Sequence, residues 1–339
     1  MKLAIGLNVI WVALAVAAHS APAKLEHVSI SGISYVRLED WGRAHNFQAK
    51  WLVPKQEFKL SSGSSTLVFT MDSQKISING VHVWLSTPVA LHNASPCIGS
   101  MDLATTLQPV LAPAKSSGGR TIKRIVLDPG HGGKDPGNFE GKQQEKKYAL
   151  LLAKEVEALL NKAGFKASLT RSSDTFLDLP ARPDLARRRG ADLFVSLHFN
   201  SADAAGASAV KGVEVYCMTP AHTSSTNARG EGAGAGSYPG NRFDSGNILL
   251  GYELQKALVK NLATEDRGVR RARFAVLRWA EMPAVLIEGG FMTNASEAKK
   301  IYDSAYRRQM AQAIVEGILA YKNLIEPSAS AAKIVRALQ

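Results

Sequence analysis

A chain of 339 residues, 45% of them hydrophobic and 21% charged, carries a formal net charge of +12. This balance excludes a disordered or fibrous chain and suffices for one sizeable core with a smaller unit beside it. Only Cys97 and Cys217 are present, which excludes a disulfide framework and a cysteine-based structural zinc site.

The two cysteines read as two buried thiols or one bridge between units. The basic excess favours an anionic partner: nucleic acid, a membrane surface or an acidic polymer. In chain order, Lys2 precedes an apolar run from Leu3 to Ala18, and AHSAPAK follows. A short charged start, an apolar stretch and small residues predict a signal peptide over 1–23, with an uncleaved anchor helix as the rival reading. Once it is removed, no other segment is apolar enough for stable membrane insertion, and the destination is periplasmic or secreted. A cytoplasmic nucleic-acid partner is thereby disfavoured, and no nucleic-acid recognition motif is present.

Residues 24–110 read as a small strand-rich α+β unit. STLVFTM (65–71), KISI (75–78) and VHVWL (81–85) alternate as strands, and Asn79-Gly80 is a favoured two-residue hairpin turn. Leu38, Trp41 and Ala44 fall at helical spacing and predict a helix over 35–47. His27, His45, His82 and His92 lack ligand spacing. The strand pattern and STPV (86–89) resemble the N-terminal-like domain of copper amine oxidases, which implies a folding or attachment module without a copper site. LAPAKSSGGR (111–120) is a linker by composition, placing a linker over 111–121, a second domain over 122–325 and a peripheral tail over 326–339.

In the second domain strands and helices alternate. Strands are expected at 123–128, 165–170, 191–200, 210–218 and 283–291, and helices at 144–164, 178–190, 247–262 and 306–324. Near-continuous apolar strands between amphipathic helices predict an α/β fold, a mostly parallel twisted sheet with helices on both faces. The Gly- and Ser-rich stretch 219–246 reads as one long loop.

Three apolar strands end alike: IVLDPGH in His131, LFVSLH in His198 followed by Asn200, and AVLIE in Glu288. In open α/β sheets, chemistry gathers at the carboxyl ends of parallel strands. Glu145 lies on the apolar stripe of its helix and needs a partner there, either the helix N-terminus or a metal ion. Singly, each residue has an ordinary structural explanation: a turn histidine, a satisfied strand-end histidine, a salt-bridged glutamate. Jointly, two His and one Glu match a catalytic zinc set with an open position, leaving Glu288 as a proton acceptor. The absence of H-E-x-x-H excludes the helix-borne metalloprotease type.

These segments resemble the zinc-dependent N-acetylmuramoyl-L-alanine amidases that cleave bacterial cell walls. IVLDPGHGGKDPG (125–137), QEKKYALLLAKEV (144–156), LTRSSDTFLDLPAR (169–182), GADLFVSLHFNSA (190–202), RGVRRARFAVLR (267–278) and PAVLIEGGFMTN (283–294) carry the resemblance in family order. It implies Zn2+ held by His131, Glu145 and His198, Glu288 as catalytic base, and peptidoglycan as substrate. Asp128 is a candidate for orienting the His131 imidazole, and Asn200 and Arg278 are further candidates beside the site, as are Arg171 and Arg182. Some relatives carry a helix that blocks the metal until a partner displaces it. The 219–246 loop has no helical pattern, so no such latch is expected, although the sequence does not exclude an activator protein. Arg187, Arg188 and Arg189, and Arg267, Arg270, Arg271 and Arg273, read as solvated clusters, with attraction to stem-peptide carboxylates as the functional alternative.

Overall fold

The computed structural model describes residues 25–116, 121–202, 207–227 and 236–326. The signal peptide expected over 1–23, and the tail expected over 326–339 apart from Glu326, lie outside the described residues. Among the described residues no helix is long and apolar enough to cross a membrane.

The N-terminal part runs β1 (His27–Ile30), β2 (Ile33–Arg37), α1 (Leu38–Ala44), β3 (Gln48–Val53), β4 (Glu57–Ser61), β5 (Thr66–Thr70), β6 (Lys75–Ile78), β7 (Val81–Trp84), β8 (Ala90–His92) and β9 (Ser95–Gly99). A run of helical turns, starting with α2 (Ser100–Asp102) and ending with α3 (Gln108–Leu111), follows. The helix expected over 35–47 is shorter: Tyr35–Arg37 belong to β2, where Tyr35 and Val36 are buried against β9. Asn79 and Gly80 take φ of 50° and 84°, the left-handed pair that a tight hairpin between β6 and β7 requires.

The remainder comprises β10 (Arg124–Pro129), β11 (Phe139–Glu140), β12 (Gln143–Gln144), α4 (Glu145–Lys162), β13 (Lys166–Leu169), α5 (Ala181–Arg188), β14 (Leu193–Asn200) and β15 (Val213–Met218). Then come α6 (Asp244–Leu262), β16 (Asp266–Ala272), α7 (Ala275–Arg278), β17 (Ala284–Phe291), α8 (Ala295–Tyr302) and α9 (Ser304–Ile325). The stretch read as one loop contains helical structure: a 3-10 turn spans Pro239–Phe243, and α6 begins at Asp244 rather than at 247.

One sheet of 11 strands, in the order β13-β10-β14-β17-β15-β16-β7-β6-β5-β4-β3, forms the frame. The pairs β13–β10, β10–β14, β14–β17 and β15–β16 are parallel, and β15–β17 is antiparallel. β7 pairs with β16, so strands from the N-terminal part continue the sheet that carries the strand-end histidines. Gly268, at φ +89°, makes that junction fit, since a Cβ there would come within 2.9 Å of the His82 carbonyl oxygen. The helices α4, α6 and α9 cover one face through Leu152, Val156, Leu254, Leu258, Ile314 and Ile318. The other face is covered by α5 and α7 around Phe194, Tyr216, Leu277 and Leu286. Both cysteines are buried free thiols.

Candidate metal and catalytic site

β10 delivers its chain into a bend in which His131 itself takes the left-handed conformation, with φ of 59°. Two buried arginines hold that bend. Arg171 donates to the carbonyl oxygens of Pro129 and Gly130 at 3.0 and 2.6 Å. Arg182 donates to those of Pro129 and His131 at 3.0 and 2.9 Å. Both arginines thus shape the loop rather than face a substrate. Gly130 is required for space: a Cβ there would lie 2.2 Å from His198 Cε1.

β14 brings His198 alongside, and α4 begins at Glu145, whose side chain is 1% exposed. His131 Nε2 lies 3.0 Å from Glu145 Oε1, His198 Nδ1 lies 2.9 Å from the same oxygen, and the two ring nitrogens are 3.1 Å apart. His131, Glu145 and His198 are the group able to hold a metal ion among the described residues. Their ligating atoms form a triangle close to one face of a zinc tetrahedron, whose edge is about 3.3 Å for bonds of about 2.0 Å. Two imidazole nitrogens and a carboxylate oxygen are also the donor types that zinc accepts.

Electrostatics agree with a cation site. Burial pushes the Glu145 carboxyl up, but hydrogen bonds and charge from His131 and His198 hold it well below the usual carboxylate range. Burial pushes the His131 imidazolium down, yet Glu145 and Asp135 outweigh it and raise its pKa. The remaining acceptor capacity of Glu145 is filled: Phe199 N donates to Oε1, and Asn138 N and Nδ2 donate to Oε2.

Glu288 stands on β17 in register with His198 on one side and Glu214 on the other. Its Oε2 is buried without a hydrogen-bond partner. Burial, then the charges of Glu145 and Glu214, push its pKa well up. A carboxylate made more basic by its surroundings can accept and return a proton.

Asp128 does not orient His131. Its oxygens accept from Thr170, Arg182 and Ser196 at 2.6, 3.0 and 2.8 Å, tying three segments together beneath the site. The group facing His131 Nδ1 is Asp135, at 2.8 Å. A carboxylate four residues further along a glycine-rich loop was the available signal. Asn200 does not reach the three ligands either: its Nδ2 donates to Glu214 Oε1 at 2.8 Å. Arg278 packs over the Tyr238 ring at 5.5 Å, with no hydrogen bond or ion pair to the four central residues.

Of the second arginine cluster, Arg267 is partly exposed and the other three are buried rather than solvated. Arg270, Arg271 and Arg273 are 9%, 0% and 6% exposed on or beside β16. They hold the segment around Thr226 and the N-terminal helical run, with Arg271 donating to Thr105 O and Thr106 Oγ1. Arg187 and Arg188 are exposed and pair with Asp184. Glu214 is the residue that sequence reasoning missed. A lone carboxylate in the apolar strand GVEVYC had to have a partner, and it has four.

A family model described as N-acetylmuramoyl-L-alanine amidase matches residues 125–320. The N-acetylmuramoyl-L-alanine amidase AmiA of Escherichia coli (strain K12) is 33% identical over 260 residues, covering 69% of this chain and 87% of that protein. The N-acetylmuramoyl-L-alanine amidase LytC of Bacillus subtilis (strain 168) is 31% identical over 262 residues, which span 77% of this chain and 43% of that longer protein. Among solved structures, the N-acetylmuramoyl-L-alanine amidase from Clostridium difficile 630 is 31% identical, covers 60% of this chain and 98% of its own, and superposes with a TM-score of 0.50. The chain is therefore a member of the N-acetylmuramoyl-L-alanine amidase family.

Proposed function

We propose that the protein hydrolyses the amide joining the lactyl group of N-acetylmuramic acid to the L-alanine of the peptidoglycan stem peptide, with zinc at His131, Glu145 and His198. The observation that carries this reading is the meeting of three ligating atoms within 3.1 Å, with Glu288, whose buried Oε2 has no hydrogen-bond partner, on the next strand. Zinc held by these residues would supply a Lewis acid to polarise the scissile carbonyl and acidify an attacking water. Glu288 takes the proton of that water on its carboxylate and returns it to the departing L-alanine nitrogen. Asp135 holds the proton on His131 Nδ1, which leaves Nε2 as the ligating atom. Asn138 and the Phe199 N–H fix Glu145 in its ligating orientation.

Residues 1–23 are proposed as a signal peptide and 24–110 as an accessory unit, with export to the periplasm or beyond the cell surface. Wild type and Glu288→Ala are compared on purified cell-wall sacculi. Wild type is expected to release stem peptides and Glu288→Ala to lose at least about a hundredfold in rate while keeping its metal. Undiminished release by Glu288→Ala would overturn the assignment of the base.

A further inference from the structure

A polar row crosses four adjacent strands of the sheet. Glu288 on β17 is in register with Glu214 on β15, Glu214 accepts from Arg270 on β16, and Arg270 packs over Trp84 on β7, which ends the row. Glu214 is 1% exposed and fully engaged: Oε1 accepts from Asn200 Nδ2 and Tyr216 OH at 2.8 and 2.9 Å, and Oε2 accepts from Arg267 Nε and Arg270 Nη1 at 3.1 and 3.2 Å. Arg270 is fixed from both sides, by Thr226 O and by the Trp84 ring 4.3 Å away. Trp84 is itself tied down, its Nε1 donating to Arg267 O at 2.9 Å. The next residues along the junction are joined too, His82 N donating to Asp266 Oδ2 at 2.8 Å.

We propose that Trp84, Arg270 and Glu214 are positioning residues for Glu288, so that the N-terminal unit completes the catalytic face through Trp84. Two carboxylates sit opposite each other in the ladder, Glu214 buried and Glu288 partly exposed with its Oε2 buried. If Glu214 lost its four donors, it would compete for any proton or donor near Glu288 and draw that side chain out of line. With all acceptor positions of Glu214 occupied, Oε2 of Glu288 is the buried carboxylate oxygen of the row without a hydrogen-bond partner. A cation stacked on an aromatic ring keeps its guanidinium plane fixed, which is what a bond to a buried carboxylate demands. The proposal rests on the amidase reading and adds to it a dependence on a residue about 200 positions away in the chain.

The test compares the full-length protein with Trp84→Ala and Trp84→Phe on sacculi. Metal content, folded fraction by circular dichroism, kcat and KM are measured for each. Trp84→Ala is expected to lower kcat about tenfold with KM, metal content and folded fraction unchanged, and Trp84→Phe to recover most of it. Glu214→Gln, which places an amide N–H₂ against existing donors, is expected to lower kcat further at unchanged metal content. The proposal is overturned if kcat in Trp84→Ala stays within about twofold of wild type, if its loss matches lost metal or unfolding, or if Trp84→Phe fails to recover it. A wild-type protein that releases no stem peptide would instead sink the amidase reading, and the positioning role would fall with it.

Discussion

Asp135 Oδ2 lies 2.8 Å from His131 Nδ1, and Asp135 Oδ1 accepts from Gly137 N at 3.0 Å. One carboxylate therefore sets both the tautomer of a ligating histidine and the curvature of the loop that carries it. Asp135→Ala is expected to lower metal affinity by about 10–100-fold while leaving the fold intact. Competition with a fluorescent zinc chelator measures this. An unchanged affinity would mean that packing alone orients the ring.

Arg182 and Asp128 form an ion pair at 3.0 Å with side chains 1% and 0% exposed. Removing one partner leaves a charge buried without compensation. Arg182→Ala is expected to destabilise the protein by about 3–5 kcal/mol and to loosen the loop from Pro129 to His131. Urea unfolding followed by tryptophan fluorescence gives the first quantity, and zinc stoichiometry reports the second.

Gly130→Ala places a methyl group against the His198 ring. The ring must rotate away from Glu145, so zinc binding is expected to fall by about tenfold or more, with a stability cost of about 1–3 kcal/mol. Isothermal titration with zinc checks the affinity, and a wild-type value would show that the β10 bend yields instead.

Burial pushes Asp244 up to about 6 from an ordinary 3.8, against the nearby Arg271 charge and the Asn241 hydrogen bond. The native state therefore holds a proton that the unfolded chain releases, so stability falls as pH rises through the window between those values. Asp244→Asn keeps an acceptor for Asn241 and removes the charge. It is expected to be more stable than wild type at pH 8 by about 1–2 kcal/mol, after allowance for partial exposure, and equal to it near pH 4. Denaturation at both pH values decides; equal stability at pH 8 would contradict the shift.

The strands that carry the site were legible because each is a buried apolar run halted by a polar side chain, as in Val285–Glu288 and Leu193–His198. The edge strand β3 was not legible: five of its six residues are exposed, so burial imposes no alternation on QAKWLV. Tyr35–Arg37 directly precede the helical spacing of Leu38, Trp41 and Ala44 but pair with Cys97–Gly99, a partner about 60 residues away. The buried arginines escaped for the same reason. Their acceptors are carbonyl oxygens and a carboxylate, such as Thr226 O, Thr105 O and Glu214, that lie 44 to 166 residues away in the chain. Asp128 was misassigned because proximity to His131 in sequence says nothing about which side chains from β14 and the segment after β13 reach it first.

Metal-dependent cleavage at the muramyl–alanine amide is read out by the masses of soluble products from purified sacculi. The expected products are peptides beginning with a free L-alanine amino group and carrying no muramic acid, abolished by a zinc chelator and restored by added zinc. Products that retain muramic acid on the peptide, or release that persists after verified removal of the metal, would contradict it.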